Sequence, residues 1–305
     1  MTALVSIPTS SVGSVSVPQL FLGDHGYLAK LDSAMTVDQV KESMRGMLST
    51  ASVGISAGES RVIDAALQAL DGRGGERLMI HADIPAHLRN ERIRYRHLAA
   101  TTVERLASFG LNCAEDRVLG FLYEVGAQGM PIPLKHAGHL RLDEGALQSW
   151  ERDIRRAKPS MVSVGGDWLD LLLLTGREDL AFDGITRIAG VARSIGAAVL
   201  ATTYVGAIVP AAILPIVQSV DGLLVTLNSF GFGMLPTGPA HLSWLRDVSK
   251  PVVGMHVLAG GSTPDSALNW LDVAHVVALV IGASSESHQQ VLAAAASRHF
   301  LGADR

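Results

Sequence analysis

Lys250-Pro-Val-Val-Gly-Met-His-Val-Leu-Ala-Gly-Gly-Ser262 and, after one helix, Val276-Val-Ala-Leu-Val-Ile-Gly-Ala-Ser-Ser285 decide the reading of the fold. Each is an apolar run that ends in glycine and is followed by a helical pattern. Pro251 opens the first run, where its missing N–H does no harm to a strand. An unbroken apolar run suits a strand covered on both faces, as in a parallel sheet. His256 interrupts the first run near its C-terminal end, with Gly260, Gly261 and Ser262 close behind. In the second, Gly282 ends the strand, and Ser284 or Ser285 is placed to cap the helix that Glu286 begins. Two such units in succession are how a (β/α)₈ barrel closes, and its last loops often hold a phosphate. The same glycines also serve a plain tight turn, so a phosphate site is one of two readings.

Upstream, the β–α alternation repeats. Gln19 to Gly26 is a short strand ending in Asp24 and His25. Thr36 caps a helix, and residues 52–56 form a weak, glycine-broken strand. The run 77–85 is a clear strand ending His81-x-Asp83, whose period of two sends both side chains to one face. Further strands are expected at 117–125, with Glu124 at its end, and at 160–167, which ends in two glycines and Asp167. Two more follow at 197–204, ending in Thr203 and Tyr204, and at 221–228, ending in Asn228. That makes nine candidates for eight places. The run 52–56 is the least secure, and 117–125 could instead belong to an insertion. The even spacing predicts one TIM-barrel domain over 1–305, with 1–18 a loose lead-in or small hairpin and 126–146 a long loop carrying Lys135. An open, doubly wound parallel sheet is the alternative fold.

Composition sets outer limits. The 305 residues are 48% hydrophobic and 18% charged, so a large core is within reach. A net charge of −4 gives no electrostatic footprint for nucleic acid. No apolar run reaches membrane-spanning length without glycine, proline or charge. Pro8 and Pro18 break the N-terminal apolar stretches, which argues against a signal peptide. A cytoplasmic protein is expected, with a small-molecule substrate as its partner and homo-oligomerisation left open. Cys113 is the single cysteine, which excludes an internal disulfide.

In a barrel, chemistry gathers at the C-terminal strand ends. The ionisable groups expected there are numerous for so apolar a chain, and burial would shift their pKa values. Asp24, His25, Asp167 and His256 are the catalytic candidates, because glycine lies close to each and leaves space for a ligand. His256 is expected to move the proton, with His25 as partner and Asp24 or Asp167 orienting a ring. Substrate contacts are expected from His81, Asp83, Glu124, Lys135, Tyr204, Asn228, Gly260, Gly261, Ser262, Ser284 and Ser285. No lysine lies at a strand end, against Schiff-base chemistry. No Gly-x-Ser-x-Gly elbow or Rossmann glycine fingerprint is found. No cofactor is required. A divalent ion held by His81-x-Asp83 with His25, Glu124 or His256 is an open alternative.

The segments Lys250 to Gly261, Ala267-Leu-Asn-Trp270 and Val280 to His288 resemble the C-terminal part of aldo-keto reductases and of aldolase-type barrel proteins. The resemblance implies a barrel fold. Reductase activity would imply an Asp, Tyr, Lys and His tetrad. Residues 53–57 supply neither the Asp nor a following Tyr, His81-Ala-Asp83 stands where the lysine would be, and Tyr123-Glu124 where the histidine would be. The expected activity is therefore an aldolase-like lyase using general acid–base catalysis on a small polar metabolite, phosphorylated or not. A nicotinamide-dependent reductase with an altered tetrad and a non-catalytic ligand-binding barrel are the alternatives.

Overall fold

The computed structural model describes residues 7–23, 36–70, 75–83, 86–88, 140–258, 262–271, 276–282 and 286–302. Eight parallel strands close into a barrel: β3 (Leu20–Gly23), β4 (Gly54–Ala57), β5 (Gly75–Asp83), β8 (Pro159–Gly165), β9 (Ala198–Thr202), β10 (Gly222–Thr226), β11 (Val252–Met255) and β12 (Val276–Gly282). β12 pairs with β3 and completes the ring. The short antiparallel pair β6 (Ala86–Leu88) and β7 (Leu140–Leu142) lies outside it. The described helices are α1 (Val37–Thr50), α2 (Ser60–Ala69), α3 (Glu144–Ala157), α4 (Asp167–Leu174), α5 (Glu178–Ser194), α6 (Pro210–Ser219), α7 (Gly238–Asp247), α8 (Pro264–Trp270) and α9 (Glu286–Gly302).

β5 pairs directly with β8, and the eight described strands close the ring. The weak run near 52–56 is a true barrel strand, held between β3 and β5. Residues 117–125 lie outside the described residues. The span read as a loop to 146 contains β7, and α3 already begins at Glu144, capped by the Asp143 carboxylate. Within 1–18, β1 (Thr9–Val12) and β2 (Val15–Pro18) form an antiparallel hairpin. Its Val12 and Val17 are fully buried against the barrel interior.

The period of two sorts each strand between two cores. Inward-facing Phe21, Met79, Met161, Leu200, Leu224 and Val253 fill the barrel with the hairpin valines. Their chain neighbours Leu22, Ile80, Val162, Val199, Val225 and Val252 face the helices. Helix α1 begins with a reciprocal cap: Gln39 N–H donates to Thr36 Oγ1, and Thr36 N–H donates to the Gln39 side chain.

Gly54 makes the barrel interior possible at β4. A Cβ there would stand 2.4 Å from two ring carbons of Phe21 and 3.0 Å from the Arg77 carbonyl oxygen. Phe21 is wholly buried and has nowhere to go. Gly54→Ala is expected to cost about 1–3 kcal/mol through overpacking, read as a lower denaturant midpoint.

Candidate functional site

A cavity of about 670 Å³ opens at the C-terminal mouth of the barrel. Ser56, His81, Tyr204, Phe232, Met255 and His256 are among its lining residues. Four strands show how the sequence builds this end. Each carries an apolar residue and then, two places on and facing inward too, a polar one: Met79 and His81, Met161 and Ser163, Leu200 and Thr202, Leu224 and Thr226. The apolar residues join the interior core, and the polar ones form the next layer towards the mouth. Ser163, Thr202 and Thr226 were not expected from the strand ends. The signal for them is this switch from apolar to hydroxyl on the inward face. The Thr202 hydroxyl is buried without a hydrogen-bond partner.

His81 is partly buried on the cavity wall, and its Nδ1 lies 2.6 Å from Ser163 Oγ. Loss of hydration first, and then the charge that His256 can carry, lower its pKa to about 4. The ring is thus neutral at physiological pH, and Nε2 is the nitrogen left for a ligand. His256 directly follows β11 and has φ 55°, the left-handed region that few residues other than glycine adopt. Its Nδ1 is 3.0 Å from Thr226 Oγ1, and its ring lies nearly parallel to that of Tyr204 at 5.9 Å. A side chain held in a costly backbone conformation at a cavity is a pointer to function.

Behind this pair lies a buried carboxylate that the strand pattern does not reveal. Asp170 on α4 is fully buried and accepts hydrogen bonds from the Thr203 hydroxyl at 2.6 Å and the Tyr204 N–H at 2.8 Å. Thr203 Oγ1 accepts in turn from Val205 N–H at 3.1 Å. Gly165 and Gly166, at φ 127° and 91°, make the turn that brings α4 under the end of β9. A Cβ at Gly165 would sit 2.5 Å from the Thr202 carbonyl oxygen. Asp170 therefore sets the backbone from which Tyr204 meets His256.

A third histidine sits in the packing behind the site. His241 on α7 is fully buried beside Trp244, ring centres 5.7 Å apart, and neither ring nitrogen makes a hydrogen bond of normal geometry. Burial lowers its pKa to about 4, although the Leu235 and Thr226 backbones favour its charged form. An unfolded histidine titrates near 6.5. Below that pH the unfolded chain binds a proton that the folded chain refuses. Stability is then complete above about 6.5, falls as the pH drops towards 4, and levels off below it. The loss expected from His241 is roughly 2–3 kcal/mol, and His81 adds to it in the same window. Urea unfolding at pH 7 and pH 4.5 checks this, and His241→Gln should shrink the difference.

The other expected site residues distribute as follows. Asp83 is the last residue of β5, and Asp167 is the first of α4. Tyr204 and His256 share the cavity. Asn228 is buried, and its carboxamide is engaged with its own loop. It accepts from Phe230 N–H at 3.2 Å and Phe232 N–H at 2.9 Å, and donates to the Phe232 carbonyl at 2.8 Å. Ser262 lies just ahead of α8, whose cap is Thr263. Asp24, His25, Glu124, Lys135, Gly260, Gly261, Ser284 and Ser285 lie outside the described residues. Among the described residues, no group of three or more His, Cys, Asp or Glu is placed to hold a metal ion, and no helix is long and apolar enough to cross a membrane. The fourth strand of the described barrel is β8. On β8 the inward residue beside His81 is Ser163.

No family model matches this chain, and no curated protein matches it. Solved structures do. A Pseudomonas aeruginosa protein assigned to the aldo-keto reductases is 14% identical, with a TM-score of 0.55 over 96% of this chain and 95% of that one. An aldo-keto reductase from Bacillus halodurans in its holo form is 9% identical, with a TM-score of 0.52 over 97% and 96%. One from Brucella melitensis is also 9% identical, with a TM-score of 0.50 over 98% and 100%. At such identities the likeness is one of fold: the chain is a (β/α)₈ barrel, distantly similar to aldo-keto reductases along nearly its whole length.

Proposed function

We propose that the protein is an enzyme, an aldolase-like lyase that uses general acid–base catalysis on a small metabolite with a carbonyl group. One observation carries this reading: two histidines in opposite environments meet one cavity, His81 desolvated and pinned by Ser163, His256 exposed at the mouth. Environments that treat two titratable groups differently divide their roles. With Ser163 donating to Nδ1, neutral His81 presents an Nε2–H that polarises the substrate carbonyl. His256 takes the proton of a hydroxyl two carbons away. The C–C bond between them breaks, its electron pair forms an enolate whose oxygen His81 holds, and the former alcohol carbon becomes a new carbonyl. His256 then returns the proton to the enolate carbon, so protons and electrons balance. Likeness of fold to aldo-keto reductases supports an enzyme over a non-catalytic barrel.

The test needs no prior substrate. Small ketones and aldehydes are incubated with the protein in D₂O, and NMR follows deuterium uptake at the carbon beside the carbonyl. Uptake that depends on His256 is the expected result. The reductase reading draws on the full-length likeness in fold. A micromolar affinity for NADPH in a fluorescence titration would favour it over the lyase.

A further inference from the structure

Phe232 combines two properties that rarely coincide. It lines the cavity, yet 64% of its surface is exposed. The exposure is built in, because the Asn228 carboxamide grips both backbone groups of Phe232 and the N–H of Phe230. A ring carried on an anchored loop loses less freedom when a ligand covers it than one on a mobile loop. From Phe232 inwards the wall continues through Leu224, Met255, Val257 and Val280. Polar groups of the lining are the Ser56 hydroxyl, His81, Tyr204 and His256. The parallel rings of Tyr204 and His256 add a flat face to the same cavity. The described lining thus combines an apolar wall and an exposed aromatic ring with imidazole and hydroxyl groups.

We propose that this pocket takes a ring-bearing substrate, its ring covered by Phe232 and its polar end at His81. This deepens the acid–base reading above and rests on it for the identity of the reacting end. A Phe232 covered by the substrate's ring gains an aromatic contact as well as burial.

Benzyl alcohol and inorganic phosphate are the probes, added to the full chain with labelled histidine rings, the His81 signals being assigned by their loss in His81→Gln. Benzyl alcohol is expected to shift the His81 signals. Its dissociation constant should rise about 5-fold or more in Phe232→Ala. It should stay unchanged in Phe182→Ala, which removes an exposed ring from α5 instead. Equal affinity in Phe232→Ala and the wild type would overturn the proposal. So would phosphate moving the His81 signals where benzyl alcohol does not. The two readings fail separately: deuterium exchange that survives in His256→Asn removes the acid–base role and leaves the ring site standing. Binding indifferent to Phe232 removes the ring site and leaves the acid–base role.

Discussion

His256→Asn lowers proton exchange and turnover by roughly 10²–10⁴-fold, the range expected for loss of a positioned general acid–base group. Asparagine is the informative replacement. It tolerates the left-handed backbone that His256 adopts at φ 55°. Its side-chain amide can still meet Thr226 Oγ1, which now lies 3.0 Å from Nδ1. Fold and hydrogen bond are therefore retained while the titrating group is lost. The companion substitution at His81 should behave differently. His81→Gln keeps an N–H donor and is expected to retain part of the rate, whereas His81→Leu removes the donor and costs about 10²–10³-fold. Rates in deuterium exchange, with unfolding curves beside them, check the pattern. If His256→Asn keeps near-wild-type exchange, the residue is structural.

Asp170→Ala has the largest expected effect on stability, a loss of about 3–5 kcal/mol. The carboxylate is fully buried and accepts from Thr203 and Tyr204. Its removal leaves a hydroxyl and a backbone N–H without these acceptors, at about 1–3 kcal/mol each, and a small cavity besides. Asp170→Asn should fall between. Its Oδ1 can still accept from Thr203, but its NH₂ turns a donor towards the Tyr204 N–H. Denaturant midpoints measure both losses. Because Tyr204 stacks on His256, both variants should also change the His256 ring signals in NMR.

Much of the architecture was legible beforehand because its cause is local. Apolar runs closed by glycine, Thr36 ahead of α1 and the glycine pair after β8 each act within a few residues of chain. Two strands show the limit. The run 117–125 carries a stronger apolar pattern than Gly54–Ala57, yet Gly54–Ala57 is the one that the described barrel holds between β3 and β5. Pattern reports that a segment suits a pleated, buried surface. It does not report which neighbour completes its hydrogen bonds. At β4 a glycine that weakens the strand signal is required, because the Phe21 ring occupies the space of its side chain.

The candidate site divides in the same way. His81, Tyr204 and His256 were marked by their places near the ends of apolar runs, a property of the sequence alone. By itself, the sequence determined a β–α repeat, inward and outward faces set by the period of two, and a C-terminal rim rich in polar side chains. Which of those side chains meet was decided only by the tertiary structure. Closure of the ring places β5 beside β8 and β10 beside β11, so His81 finds Ser163 and His256 finds Thr226, partners 82 and 30 residues away. Asp170, on a helix behind the strands, enters the site for the same reason. Pairing across a barrel depends on register and closure, and no window of local sequence contains either.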